Sequence, residues 1–129
     1  MHAFIIEDDY LIARSLQDML ETLGFTSFSF ARSEDAAVLG AGENWIDLIT
    51  ADVRLFLGDG LKAVEAICGK RRIPVVFITA FAEELRDRAP EAAIIQKPIK
   101  MEELAAAVRK VLAEAGDRAG IVPAKPVQS

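Results

Sequence analysis

The chain has 129 residues, 52% of them hydrophobic, and its 15 basic and 20 acidic side chains leave a formal charge of −5. This suits one domain with a core of its own and leaves no room for a second. No apolar run approaches the about 20 residues of a membrane span, the start lacks a secretory signal, and the scattered basic residues form no stripe that would grip a nucleic-acid backbone, so a cytoplasmic chain without direct membrane or nucleic-acid contacts is expected.

Ala3 to Ile6 is a short apolar run that predicts a strand. After Glu7-Asp8-Asp9, the residues Ile12, Leu16, Met19, Leu20 and Leu23 repeat at helical spacing until Gly24. Phe25 to Phe30 alternates between apolar and polar, as a half-buried edge strand does. A short helix from about Ser33 to Leu39 follows, with a weak apolar stripe. Trp45 to Ala51 predicts a third strand that delivers Asp52 to its end, and Val53 to Gly60, with two glycines, reads as a loop. A helix from Leu61 to about Arg71 leads past Pro74 to a fourth strand, Val75 to Ile78, ending at Thr79. A charged helix from Ala82 to about Arg88 precedes the fifth strand, Ala92 to Ile95, and then Lys97-Pro98. Met101, Leu104, Val108, Val111, Leu112 and Ala115 set the last helix. The pattern stops at Gly116, which predicts a domain over 1–116 and a flexible tail over 117–129.

Two single residues are read as structural. Cys68 falls on the apolar side of its helix with Leu61, Val64 and Ile67, where a small buried thiol is the common case. His2, the one histidine, reads as a solvated residue at a frayed start.

Strands alternating with helices predict an α/β fold, a doubly wound parallel sheet of five strands covered on both faces. In such sheets ligands sit beyond the carboxyl ends of the strands. Asp8, Asp9, Asp52, Thr79 and Lys97 all follow strand ends. Two unit charges about 4 Å apart repel by roughly 4 kcal/mol in a partly buried site, so the acidic trio needs a cation, which points to a divalent metal and to phosphate chemistry. An acidic triplet alone is weak evidence, because acidic residues also favour helix starts. Asp52, Thr79 and Lys97-Pro98 on three further strands are not explained by capping.

The order Asp8-Asp9, Asp52, Thr79, Lys97-Pro98 resembles the receiver domain of bacterial two-component response regulators over residues 3 to 115. The resemblance implies a flavodoxin-like (βα)5 fold with strand order 2-1-3-4-5, Mg²⁺ as cofactor, and phosphoryl transfer from a histidine kinase or histidine phosphotransfer protein. It implies that Asp52 is the phosphoacceptor nucleophile, that Asp8, Asp9, Asp52 and the backbone carbonyl of Arg54 hold the metal, and that Lys97 is the cation for the phosphoryl oxygens, with Pro98 following a cis peptide. Thr79 matches the switch hydroxyl, beside a small Ala80. The output face implied is the fourth helix, fifth strand and last helix, docking a downstream protein, with a homodimer also open.

Three positions depart from the family pattern. Ile94 stands where an aromatic is common, Phe56 where a proline is common, and Arg54 lies two residues beyond Asp52. The stretch Phe77-Ile78-Thr79-Ala80-Phe81 resembles a subgroup of stand-alone receivers with a Phe-Ala-Thr-Gly-aromatic motif, which gives Phe81 the relay role that Ile94 cannot fill. Two alternatives remain at this level. One is a haloacid-dehalogenase-like Mg²⁺ phosphatase, although Arg54 occupies the place where its second aspartate belongs. The other is a receiver-like binding module that works without phosphate, and a receiver excised from a longer hybrid kinase would look the same.

Overall fold

The structure, a computed structural model, describes residues 1–119, with side chains as far as residue 116. In chain order the elements are β1 (His2–Ile6), α1 (Tyr10–Thr22), β2 (Ser27–Ala31), α2 (Glu34–Gly40), β3 (Leu48–Ala51), β4 (Arg54–Leu55), β5 (Gly58–Asp59), α3 (Gly60–Cys68), β6 (Val75–Thr79), α4 (Ala82–Arg88), β7 (Ala93–Gln96) and α5 (Met101–Ala119). The main sheet is wholly parallel in the order β2-β1-β3-β6-β7. Counting its strands alone, that is the expected order 2-1-3-4-5. α5 runs through Gly116 to Ala119, because an isolated glycine weakens a helix without ending it. Beyond Ala119, the expected tail lies outside the described residues.

Strand parity divides the core. Ala3 and Ile5 of β1 face one way and pack with Ala13, Leu16 and Leu20 of α1 and Leu104 and Val108 of α5. Phe4 and Ile6 face the other way, toward Ala37 of α2, Ala63, Val64 and Ile67 of α3, and Leu85 of α4. Successive side chains on a strand point to opposite faces, so an unbroken apolar run is what a strand covered on both sides requires. α4 is lightly anchored: Ala82 and Leu85 are its buried residues, and Phe81 at its N-cap supplies no side-chain cap.

Thr50, on β3, is buried with no partner for its hydroxyl oxygen. An unpaired buried hydroxyl costs free energy that an isosteric methyl does not. Thr50→Val is therefore expected to raise unfolding stability by about 1 kcal/mol, read as a higher urea midpoint at unchanged slope.

Several boundaries differ from the sequence reading, each for a local reason. Phe25 belongs to the end of α1: its N–H donates to Leu20 O at 3.1 Å and that of Gly24, at φ +103°, to Glu21 O at 3.0 Å. This is a Schellman closure whose following apolar side chain is buried beneath the helix. β3 starts at Leu48, with Trp45 outside it donating its ring N–H to Asp47 Oδ1. The 53–60 segment is ordered: β4 and β5 pair antiparallel across Phe56-Leu57. His2 is not frayed. It opens β1, and its ring nitrogens reach Ser27 Oγ at 2.7 Å and Ser29 Oγ at 2.9 Å on β2. Cys68 is half-buried against the core, as expected.

Candidate functional site

Register builds the site. Ile6 pairs with Ala51, so the chain leaves β1 and β3 side by side, and the Asp52 N–H donates to Ile6 O at 2.9 Å. The Glu7 N–H donates to Ala31 O on the other flank. Thr79 pairs with Gln96, and the Lys97 N–H returns to Thr79 O at 2.8 Å. Residues distant in sequence thus meet at one sheet edge because the hydrogen-bonded ladder holds their strands level.

Carboxylate oxygens of Glu7, Asp8 and Asp52 all lie within 4.8 Å of one another. Glu7 and Asp52 are buried, and the Lys97 ammonium donates to both, to Asp52 Oδ2 at 2.8 Å and to Glu7 Oε1 at 3.0 Å. Burial pushes the Glu7 carboxyl above its usual range, only partly offset by hydrogen bonds from the Asp9 N–H and Lys97. Burial also works against the Lys97 ammonium. Hydrogen bonds to Asp52 and Glu7, with their charges, outweigh it and hold Lys97 above the ordinary lysine range. Three carboxylates with no nitrogen or sulfur donor form a set suited to a small hard divalent cation.

The expected acidic pair shifts by one residue. Asp9 does not join the cluster: it is the N-cap of α1, and its Oδ1 accepts from the N–H groups of Leu11 at 2.9 Å and Ile12 at 3.2 Å. A short acceptor just ahead of the first helical turn satisfies its orphan donors, so this carboxylate turns toward the helix. Glu7, which the sequence reading left out of the metal set, stands in its place beside Asp8. Asp8 is itself tied into the neighbouring loop, Oδ2 accepting from the Phe56 N–H.

Thr79 is fully buried at the end of β6, and its Oγ1 accepts from the Phe81 N–H at 3.0 Å. Lys97-Pro98 is a cis peptide, as expected. The adjoining Gln96 also escaped the sequence reading. Its side chain accepts from the Ala82 N–H at 3.0 Å and donates to Ala80 O at 2.8 Å, holding the entrance to α4. Phe81 is 46% exposed, with the Arg54 guanidinium 3.8 Å above its ring. Phe56 is exposed and Ile94 is half-buried.

The chain between Asp52 and α3 is braced at both ends. Gly58 has φ +110°, and a Cβ there would meet Glu34 Cβ at 2.4 Å. A Cβ on Gly60 would meet the Asp52 carbonyl oxygen at 1.8 Å, so glycine lets α3 start directly against the Asp52 backbone. Asp59 caps α3 through the N–H groups of Leu61 and Lys62 and pairs with Arg88 at 2.9 Å. Burial opposes ionisation of Asp59, but the hydrogen bonds from the Lys62 N–H and Arg88 prevail and its pKa is lowered. Its stabilising contribution is therefore present above about pH 4 and is lost as pH falls through the lowered folded-state value. Asp59→Asn keeps the cap and loses the charge, so its melting temperature should lie below that of the wild type near neutrality and converge on it in acid. The gap corresponds to less than about 1 kcal/mol for so exposed a pair.

Among the described residues no helix is long and apolar enough to cross a membrane. The family model for the response regulator receiver domain matches residues 3–109. The phyllosphere-induced regulator PhyR of Methylorubrum extorquens is 38% identical over 112 residues, which cover 84% of this chain and 42% of that protein. The crystal structure of the anti-anti-sigma factor PhyR from Bartonella quintana superposes with a TM-score of 0.80 at 33% identity, covering 93% of this chain and 51% of that one. The solution structure of the Erythrobacter litoralis PhyR receiver domain gives 0.81 at 27% identity, covering 99% and 95%. The chain thus spans about half the length of the curated relatives it matches. With its parallel order, its strand-end carboxylates and the lysine set among them, the chain belongs to the response regulator receiver domain family.

Proposed function

We propose that this receiver accepts a phosphoryl group on Asp52 from a histidine kinase or histidine phosphotransfer protein and signals through a change of surface. The observation that carries the reading is the meeting of Glu7, Asp8 and Asp52 around one point, with the Lys97 ammonium already on Asp52. An Asp52 carboxylate oxygen bonds to phosphorus while the phosphorus–nitrogen bond of the donor breaks. The histidine nitrogen keeps the bonding pair, and an acyl phosphate remains on Asp52. Lys97 stays within reach of the added oxygens as a point charge.

Glu7, Asp8 and Asp52, with the backbone carbonyl of Arg54, are the groups that would hold Mg²⁺, which when bound neutralises charge between nucleophile and phosphate. Thr79 donates its hydroxyl proton to a phosphoryl oxygen, which draws residues 79–81 inward, while Phe81 repacks as the relay in place of Ile94. The face formed by α4, β7 and α5 then presents a changed surface to a downstream protein or to a second copy. The anti-anti-sigma description of a PhyR relative supports an output by protein docking. A cytoplasmic setting fits a partner kinase that uses ATP. The phosphatase reading has no support in the family match.

Incubation with Mg²⁺ and acetyl phosphate, followed by intact mass, tests the reading. One stoichiometric phosphoryl gain supports it, and an unmodified protein returns the chain to a phosphate-independent binding module. The one-residue shift of the acidic pair gives a sharper test. Glu7→Gln is expected to weaken Mg²⁺ affinity at least about tenfold by removing a charged oxygen ligand. Asp9→Asn should leave it within about twofold, since asparagine caps as well as aspartate, and Asp9→Ala should instead cost about 1 kcal/mol of stability. Titration followed by tyrosine and tryptophan fluorescence, with urea unfolding alongside, reads both.

A further inference from the structure

The segment that follows Asp52 is fastened to α4 by two ion pairs running in opposite senses. The Arg54 guanidinium on β4 donates to both carboxylate oxygens of Glu84, at 2.6 and 3.0 Å, and sits 3.8 Å over the centre of the Phe81 ring just before the helix. Arg88 on α4 reaches back to Asp59 at the end of β5. α4 buries Ala82 and Leu85 against the core, and these ion pairs tie its solvent side to the segment after Asp52. One of them sits two residues from the nucleophile.

We infer that Arg54 is an electrostatic latch on α4 that phosphorylation of Asp52 releases. The inference rests on the phosphoacceptor reading of Asp52 and deepens it. Lys97 is already shared by Asp52 and Glu7, and Arg54 is the next cationic side chain along the strand-to-loop path. A phosphoryl group brings about two negative charges and three acceptor oxygens, for which a guanidinium is the better-matched donor. Recruiting Arg54 takes it off Glu84 and off the Phe81 face together. α4 then keeps Arg88–Asp59 as its one ion pair to this segment, beside the Gln96 hydrogen bond at its entrance, its solvent side loosens, and Phe81 is free to move. Charge, rather than closure of Thr79 alone, thereby carries the signal from the Asp52 loop to the helix.

Hydrogen–deuterium exchange of the full chain over residues 80–92, with Asp52 occupancy measured by intact mass on the same samples, tests the latch. Without phosphodonor, Glu84→Gln should exchange faster than wild type in α4 by about two- to five-fold, the worth of one exposed ion pair. Wild type treated with acetyl phosphate and Mg²⁺ should rise to a similar rate, and phosphorylated Glu84→Gln should rise little further. A mass gain with unchanged α4 exchange, or an increment in Glu84→Gln as large as in wild type, overturns the latch while the phosphoacceptor reading stands. Absence of any mass gain overturns that reading, and the latch with it.

Discussion

Asp52→Asn protein treated with acetyl phosphate and Mg²⁺ should gain no mass, whereas wild type is expected to gain one phosphoryl group that survives acid and is lost in base, as an acyl phosphate is. The effect is all or none because an amide offers no anionic oxygen to attack phosphorus. It also removes one of the three carboxylates of the cation cluster, so Mg²⁺ uptake should weaken in the same variant. Folding is not at risk: asparagine is isosteric, keeps a hydrogen bond for Lys97, and relieves the repulsion between two buried carboxylates that share that ammonium. An unchanged urea midpoint alongside the missing mass gain separates lost chemistry from lost structure. A stoichiometric phosphoryl gain on the variant would sink the assignment of Asp52.

Gly60→Ala should unfold about 3 kcal/mol more easily than wild type. The cause is room rather than backbone conformation, since Gly60 is not among the glycines at positive φ. Its added methyl would sit 1.8 Å from the Asp52 carbonyl oxygen and 3.3 Å from Val53 Cα. Both obstacles are main chain, which cannot rotate aside as a flexible side chain would. Relief requires α3 to back away from β3, which breaks the 2.8 Å hydrogen bond from the Gly60 N–H to Val53 O. The same displacement moves Asp52 relative to Glu7 and Lys97, so phosphorylation should slow as well. Gly116→Ala is the matched control: nothing lies within 4 Å of its added methyl and the site is helical, so it should stabilise by roughly 0.5–1 kcal/mol.

The architecture was legible because the inner strands are short apolar runs, the edge strand β2 alternates apolar with polar residues, and each long helix repeats its apolar residues at a fixed spacing. Ala3 to Ile6 and Val75 to Ile78 carry that signal without ambiguity. The carboxylate cluster was legible to within one residue. Glu7, Asp8 and Asp9 are consecutive, so spacing alone cannot say which two remain at the sheet edge and which turns to the helix. The capping rule could have decided it, since Asp9 stands directly before Tyr10-Leu11-Ile12, where a cap is required. β4 and β5 have two residues each, too few for any periodicity, and Phe25 looked like strand because a Schellman closure also demands an apolar residue after its glycine. Arg54 and Glu84 are thirty positions apart, and only the folded register of the sheet brings them together.

The all-parallel sheet gives the molecule two poles of different character. The clustered carboxylates, Thr79 and Lys97 gather where the strands finish, while His2 lies where β1 begins, roughly 16 Å away along its five residues. An affinity handle, fluorophore or surface tether fused ahead of Met1 therefore leaves the chemical pole open to visiting proteins, and such fusions suit measurements of partner docking.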